Sequence, residues 1–229
     1  MTAQQALTVP MPAGSEPTSL DARLLEPADA DAAYVFAHGA GAGMDHPFMA
    51  ALAQALAWRR VATLRYQFPF MQRGSRRPDP PGVAHLAVRA AVAECTRRLP
   101  GLPMVAGGKS YGGRMTSQAH AARPLDGVLG IAFFGFPMHP AGKPGTDRAK
   151  HLVNAPGPML FLQGTRDELA DLGLLRQAIE PLGTRATLQV VDDADHAFHV
   201  RAASGRKDPA VIEELAGTMR AWIDRLQGS

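Results

Sequence analysis

The stretch "AGGKSYGGRM" at residues 106–115 decides the fold, because it has two incompatible interpretations. Its Gly-Lys-Ser resembles the end of a phosphate-binding loop, whereas its Gly-x-Ser-x-Gly, centred on Ser110, resembles the sharp turn that presents a nucleophilic serine. A phosphate-binding loop would need its first glycine at position 103, and that residue is Pro103. Residues 104–107 form an apolar strand pattern, so no loop remains to wrap a phosphate. The sequence therefore favours the serine-bearing turn.

Short apolar runs alternate with helical patterns along the chain. Because the apolar runs show no alternation of polar and apolar residues, they predict a mostly parallel sheet that helices cover on both faces. No segment resembles a linker, so residues 1–229 are expected to form a single domain, with residues 1–15 loosely held. Strands are predicted at 33–39, 61–69, 103–108, 127–137, 158–164 and 186–193, and helices at 46–59, 82–99, 112–121, 172–182 and 208–226.

The composition argues against several classes of partner. The chain has 229 residues and a formal charge of +3, and its Lys and Arg residues form no continuous stripe, so nucleic-acid binding is not expected. The only cysteine, Cys95, falls on the apolar face of a predicted helix, which favours a buried thiol over a nucleophile. The N-terminal residues show no secretory signal, and no segment approaches the ~18 apolar residues of a membrane span. We therefore expect a cytoplasmic protein; the sequence does not indicate its oligomeric state.

A serine hydroxyl becomes nucleophilic only beside a base, and a histidine follows the last predicted strand. His196 lies in "VVDDADHAFHV" (190–200), where its ring could reach over the edge of the sheet, and His199 is the alternative. For the acid that orients the base, Asp167 follows the preceding strand and fits the chain order serine, acid, histidine. The alternative acids are Asp171, Asp192, Asp193 and Asp195.

An early strand ends in "FAHGAGAGMDHPFM" (36–49), whose small residues let bare backbone approach a substrate oxygen. The backbone N–H groups of Ala40 and of Tyr111, the residue after the serine, are the predicted donors of an oxyanion hole. A dinucleotide-binding turn would need a third glycine where Met44 or His46 stands, so that interpretation is rejected.

Five stretches, in this order, make the sequence resemble the α/β-hydrolase superfamily, within it the small, nearly lidless proteins similar to dienelactone hydrolases. They are "AHGAGAGMDHPFM", "GGKSYGGRM", "FGFPMHPAGKP", "LQGTRDELA" and "DDADHAFH", and they lie between residues 33 and 200. The resemblance implies an α/β-hydrolase fold with minimal or no lid, Ser110 as nucleophile, Asp167 as acid and His196 as base. Dienelactone hydrolase itself uses a cysteine nucleophile, so its substrate is not carried over. An esterase-like activity on small ester or acyl substrates is the safer implication.

The sequence also predicts a small, partly apolar substrate pocket. The connection at 134–152 has room only for a short loop, so short or small acyl groups are expected rather than long lipids. Lys109 and Arg114 flank the serine and could favour an anionic acyl group, or could be solvated or salt-bridged; the sequence leaves this open. The predicted lining residues are Phe68, Phe70, Met71, Phe136 and His139.

No metal and no cofactor are predicted. Asp45 and His46 resemble a metal pair, but no third ligand is near in sequence, and Asp45 suits a cap of the following helix. His38 precedes the tight glycine loop and is expected to hold that loop by hydrogen bonds.

Two alternatives to ester hydrolysis stay open at the level of sequence. A non-catalytic scaffold or binding protein could keep this fold, since a fold alone does not establish activity, although such a protein has no need of a serine, an acid and a histidine together. Other acyl chemistry on the same residues, such as thioester hydrolysis, acyl transfer or peptide cleavage, is the second alternative.

Overall fold

The structure is a computed structural model that describes residues 4–228. Eight strands form one sheet in the order β1-β2-β4-β3-β5-β6-β7-β8, in which β2 is antiparallel to β1 and β4 and the other neighbours are parallel. The strands are β1 (Gln4–Pro10), β2 (Ser19–Leu25), β3 (Ala32–Ala37), β4 (Val61–Tyr66), β5 (Met104–Lys109), β6 (Val128–Phe134), β7 (Met159–Gly164) and β8 (Ala186–Val191). The helices are α1 (Pro47–Ala57), α2 (Pro69–Gln72), α3 (Pro81–Arg98), α4 (Tyr111–Ala122), α5 (Leu172–Ile179) and α6 (Asp208–Gln227), with 3-10 helices at Asp147–Asn154, Glu180–Arg185 and Ala202–Ser204.

Helices cover both faces of the sheet, as its apolar strands require. Every residue of β3, β4 and β7 is buried, which leaves neither face of the central strands for water. One face packs against α1 and α6 through residues such as Leu52 and Met219. The other face packs against α3, α4 and α5 through residues such as Val88, Met115 and Leu175. Burial of each side chain of this size stabilises the folded state by about 1.5–3 kcal/mol. The sheet with helices on both faces confirms the predicted fold class.

The N-terminal part of the chain differs from the sequence-based expectation. Residues 4–10, predicted to be loosely held, form strand β1 and pair with β2 along their whole length. Strand β2 itself was not predicted. In β2, Leu20, Ala22 and Leu24 are buried at alternate positions and polar residues lie between them, so the strand shows no continuous apolar run. The expectation is wrong for residues 4–10 because main-chain pairing holds an edge strand that has few buried side chains of its own.

The carboxyl edge of the parallel strands is open. The connection from β6 to β7 contains a single 3-10 helix, Asp147–Asn154, which packs Ala149 and Leu152 into the core beside α4. Within residues 4–228 no inserted segment covers the edge as a lid, in agreement with the prediction. No α-helix within residues 4–228 combines the length and the hydrophobicity that a membrane span requires.

Candidate active site

Ser110 lies on a strained turn between β5 and α4. Its backbone has φ 50° and ψ −115°, a conformation that costs a non-glycine residue about 1–3 kcal/mol. The flanking glycines allow this turn to press against β3. A Cβ at Gly108 would lie 2.3 Å from the carbonyl oxygen of Ala37, and one at Gly112 would lie 2.5 Å from the carbonyl oxygens of Ala37 and His38. Side chains are therefore excluded at both positions, and the turn holds Ser110 at the edge of the sheet.

Three polar side chains meet at this edge. The Ser110 hydroxyl lies 2.8 Å from Nε2 of His196, and Nδ1 of His196 lies 2.7 Å from Oδ2 of Asp167. With the proton on Nδ1, the ring donates to the carboxylate and accepts from the hydroxyl. The Asp167 side chain has no exposed surface, whereas the His196 side chain retains 26% of its own. This neutral tautomer is the arrangement in which an imidazole can take the serine proton.

Two further hydrogen bonds hold the buried carboxylate of Asp167. The side-chain amide of Gln163 donates to Oδ2 at 2.5 Å, and the backbone N–H of Leu169 donates to Oδ1 at 2.8 Å. Gln163 is fixed in turn by the backbone N–H of Phe136, which donates to its Oε1 at 2.9 Å. These bonds offset the cost of burying a charge. Sequence reasoning missed Gln163, although a lone amide at the end of the apolar run "MLFLQG" was the available signal.

The alternative base and acids are engaged with other groups. His199 is exposed, and its Nδ1 lies 2.9 Å from a carboxylate oxygen of Asp208. The alternative acids contact the following partners: Asp171 the N–H of Leu174, Asp192 the hydroxyl of Thr165, Asp193 the guanidinium of Arg201, and Asp195 the N–H groups of Ala197 and His199. Of the acids considered from the sequence, the structure brings Asp167 to His196.

The predicted oxyanion donors belong to the loop after β3 and to the first turn of α4. Ala40 lines the same cavity as the serine, and a Cβ at Gly39 would lie 3.8 Å from the Ser110 Cβ, so this loop lies against the serine. Tyr111 is the first residue of α4, and a first-turn N–H has no carbonyl partner inside its helix. The positive end of the helix dipole also favours negative charge here.

His38 holds the glycine loop, as its position in the sequence predicts. Its Nε2 accepts the backbone N–H of Phe68 at 2.9 Å, and its Nδ1 lies 2.7 Å from the carbonyl oxygen of Gly39, to which it donates. The side chain is completely buried, and this burial lowers the pKa of His38 to about 4. The ring is therefore neutral at physiological pH and connects the loop after β3 with the loop after β4.

A cavity of about 320 Å³ adjoins Ser110 and His196. This volume lies at the lower end of the range for small-molecule sites. Its wall comes from the loop after β3, the first turn of α1, the end of β5 and the loops after β7 and β8. It includes Ala40, Phe48, Met49, Lys109, Leu169 and Ala197.

The predicted lining residues do not form this wall. Phe68 and Phe70 are 0% and 1% exposed, and both rings pack edge-on against Tyr111, at 5.2 and 5.9 Å between centroids. Phe136 is buried against Phe133 at 5.1 Å. Their order along the chain placed these residues near the correct edge of the sheet, but their side chains turn inward and fill the core.

His139 and Met71 are likewise absent from the cavity wall. His139 is 5% exposed, and its Nε2 accepts the backbone N–H of Asp171 at 3.1 Å. Met71 packs against the core on the side of the sheet that carries α3 and α4. The prediction of these two residues as lining is wrong for the same reason as for the three phenylalanines: sequence position does not report side-chain direction.

Lys109 and Arg114, which the sequence left open, separate in the structure. Lys109 lines the cavity, whereas the guanidinium of Arg114 lies 6.0 Å from the ring centre of Tyr111, outside the cavity wall. Only Lys109 is therefore placed to act on a group in the cavity.

Asp45 and His46, which resemble a metal pair in the sequence but are not predicted to be one, make structural contacts. His46 caps α1, since its Nδ1 accepts the backbone N–H of Phe48 at 3.3 Å, while Asp45 pairs with Arg23 at 3.1 Å. The expectation that Asp45 caps the helix is therefore wrong. In residues 4–228, no three His, Cys, Asp or Glu side chains are grouped so that they could hold a metal ion.

Comparison with known proteins identifies similar sequences and folds. Residues 30–224 match a family described as an alpha/beta hydrolase domain. A dienelactone hydrolase from Anabaena variabilis is similar in structure, with 21% identity, 98% coverage of both chains and a TM-score of 0.75. So is XC6422 from Xanthomonas campestris, an α/β serine hydrolase without a lid, with 21% identity, 97% coverage of this chain and 96% of that one, and a TM-score of 0.73. The esterase domain of a Rhodothermus marinus protein has 17% identity, 97% and 98% coverage, and a TM-score of 0.73. At these identities the structural likeness shows a shared fold.

Proposed function

Because the chain belongs to the alpha/beta hydrolase family, we propose that it is a serine hydrolase that cleaves esters or related acyl bonds of small molecules. The observation that carries the proposal is the chain of hydrogen bonds from the Ser110 hydroxyl through His196 to Asp167, beside a small cavity. The strained backbone of Ser110 supports it, because a binding protein would gain nothing from that strain.

The reaction would proceed in two halves through an acyl-enzyme. Ser110 Oγ attacks the substrate carbonyl carbon while its proton passes to Nε2 of His196, and the N–H groups of Ala40 and Tyr111 stabilise the oxyanion. The oxyanion collapses, the bond to the leaving oxygen breaks, and His196 returns the proton to that oxygen. A water molecule then attacks the acyl-enzyme by the same route and releases the acid. Asp167 keeps the imidazole in the required tautomer and stabilises its charged form.

The whole chain is proposed to work as one domain. The sheet is continuous from β1 to β8, and the proposed catalytic side chains follow β5, β7 and β8, which fall within the four consecutive strands β5-β6-β7-β8. The oxyanion loop follows β3, the neighbour of β5. Because the site needs strands from the middle and from one end of the sheet, it would not survive division of the chain.

A fluorophosphonate probe is expected to form one covalent adduct per chain, at Ser110, because such probes react with activated serines. Mass spectrometry of the digested protein would locate the adduct. Ser117→Ala is the matched control: Ser117 Oγ also lies 2.7 Å from a histidine nitrogen, that of His151, but the side chain is completely buried. This variant should be labelled like the wild type. An adduct at another residue would refute the assignment of Ser110, and no adduct would favour a non-catalytic scaffold.

The cavity predicts a preference for short acyl chains. We expect kcat/KM for a butyryl ester to exceed that for a dodecanoyl ester by at least about tenfold, because a long chain cannot be buried in so small a space. Phe48→Ala removes a ring from the wall and enlarges the cavity, so it should shift this ratio toward the longer ester by about tenfold. Met71→Ala, outside the wall, should leave the ratio unchanged. Equal ratios in all three proteins would show that this cavity does not receive the acyl group.

A further inference from the structure

Lys109 lines the cavity but has no part in the mechanism described above. Its Nζ donates a hydrogen bond to the backbone carbonyl of His196. The ammonium also lies 5.8 Å from the ring centre of Phe48 and 5.3 Å from that of Phe198, within the range of cation–π attraction. The side chain of the residue before the proposed nucleophile therefore reaches the backbone of the proposed base.

Gly135 shows how closely the ammonium approaches the acid and the base. This residue follows β6 with φ +71°, and a Cβ added to it would lie 3.1 Å from Nζ of Lys109. The same point lies 3.3 Å from Nδ1 of His196 and 3.4 Å from Oδ2 of Asp167. One small space, kept open by the absence of a side chain, is thus surrounded by the ammonium, the imidazole and the carboxylate.

Burial and the neighbouring charges shift the pKa of Lys109 in opposite directions. Asp167, after β7, and Asp195, after β8, raise the pKa of Lys109, and the ring of His196 lies in the same loop as Asp195. On the side of α1 the ammonium meets the ring of Phe48, and His46 lines the same cavity. Burial outweighs the two carboxylates and lowers the pKa of Lys109 from 10.5 to about 8.

We propose, on the basis of the proposed function, that Lys109 is a positioning residue for His196. The charged side chain of Lys109 anchors the backbone of the loop that carries His196. The loop is irregular: Asp193 and Phe198, on either side of His196, both have positive φ. Asp167 holds the ring of His196, and Lys109 holds its main chain. A hydrogen bond from an ammonium is roughly twice as strong as one between neutral groups. The two contacts together keep Nε2 at hydrogen-bond distance from the serine hydroxyl.

The anchor weakens when the ammonium loses its proton. The group is charged below pH about 8 and neutral above it, so the charge-assisted hydrogen bond is present on the acidic side and is lost as the pH rises. We therefore expect kcat to fall on the alkaline side with a midpoint near pH 8. A purely structural lysine would produce no such limb.

Lys109→Met tests the proposal, because it keeps the length of the side chain and removes its charge and its donors. We expect kcat for a short chromogenic ester to fall about 10–100-fold with KM within about twofold, since small misplacements of a catalytic group have effects of this size. The alkaline limb near pH 8 should disappear in this variant. Lys109→Arg, which stays charged above pH 12, should recover part of kcat and keep it above pH 8. Melting temperatures would verify that the variants are folded.

Lys150→Met is the matched control, since Lys150 is exposed and pairs with Asp147 on its own 3-10 helix. Both kcat and the limb should match the wild type. If Lys109→Met does not fold, Lys109→Gln replaces it, and the pH dependence of fluorophosphonate labelling of the wild type gives an independent measurement. The inference is overturned if kcat of the folded variant stays within twofold of wild type, or if the limb persists in it. A wild type that the probe does not label would overturn the proposed function as well, whereas a labelled, active wild type with an unaffected Lys109 variant overturns this inference alone.

Discussion

Replacing Ser110 by alanine is expected to lower kcat for ester hydrolysis by a factor on the order of 10⁴–10⁶. The hydroxyl forms the hydrogen bond to Nε2 of His196, and without it the imidazole has no nucleophile to activate. The variant should stay folded, because the side chain loses a single oxygen at the edge of the cavity. Steady-state kinetics with a short ester and a melting temperature measure the two effects separately.

Ser117→Ala provides the comparison for this loss. It removes a hydroxyl from α4, the helix that follows Ser110. This hydroxyl donates to the carbonyl of Arg114 at 3.0 Å and lies 2.7 Å from Nε2 of His151. Its kcat should stay within about threefold of the wild type, although a buried hydrogen bond is lost at a cost of about 1 kcal/mol in the free energy of unfolding. Activity of Ser110→Ala within a hundredfold of the wild type would mean that another group attacks the substrate.

Replacing Gly107 by alanine is expected to have the largest effect on stability. A Cβ at this position would lie 1.9 Å from the carbonyl oxygen of Ala132 in β6, and the backbone has φ +152°. Strand β5 is paired on both sides, with β3 and β6, so it cannot move away from one neighbour without losing the other. We expect the free energy of unfolding to fall by more than about 4 kcal/mol, a large part of the ~5–15 kcal/mol that is typical of a folded domain.

Gly217→Ala is the matched glycine substitution. Gly217 lies inside α6, and the nearest atom to an added Cβ is Nε of Arg59 at 3.9 Å, an ordinary contact. Alanine should raise the free energy of unfolding there by about 0.5–1 kcal/mol, because it restricts the unfolded chain and favours the helix. Urea denaturation of the two variants tests both signs. A Gly107→Ala protein as stable as the wild type would show that β5 and β6 can separate locally.

The positions of six strands along the chain, and the polar residues that follow them, could be predicted from the sequence. Strands β3 to β8 each overlap a predicted strand, because the apolar runs of a doubly covered parallel sheet stand out from the helical patterns between them. Since parallel strands place their carboxyl ends along one edge, residues that follow different strands are brought together. Ser110, Asp167 and His196 were selected on that basis and lie within hydrogen-bond distance of their neighbours.

Strands β1 and β2 show the limit of that reasoning at the antiparallel end of the sheet. Buried and exposed residues alternate in β2, and most residues of β1 are exposed, so neither strand contains a continuous apolar run. The two strands are recognised by their pairing with each other. Because pairing depends on two segments, the sequence of one strand does not reveal which segment it pairs with.

The sequence by itself determined the fold class, the sharp turn at Ser110 and which polar residues follow the strands at the open edge, because periodicity and the positions of glycines report local geometry and burial. Only the tertiary structure decided which side chains face the cavity: Phe48 instead of Phe68, and Lys109 turned toward the carbonyl of His196. The physical reason is that the direction of a side chain after a strand is set by packing against segments distant in the chain, and those contacts exist only once the sheet is assembled.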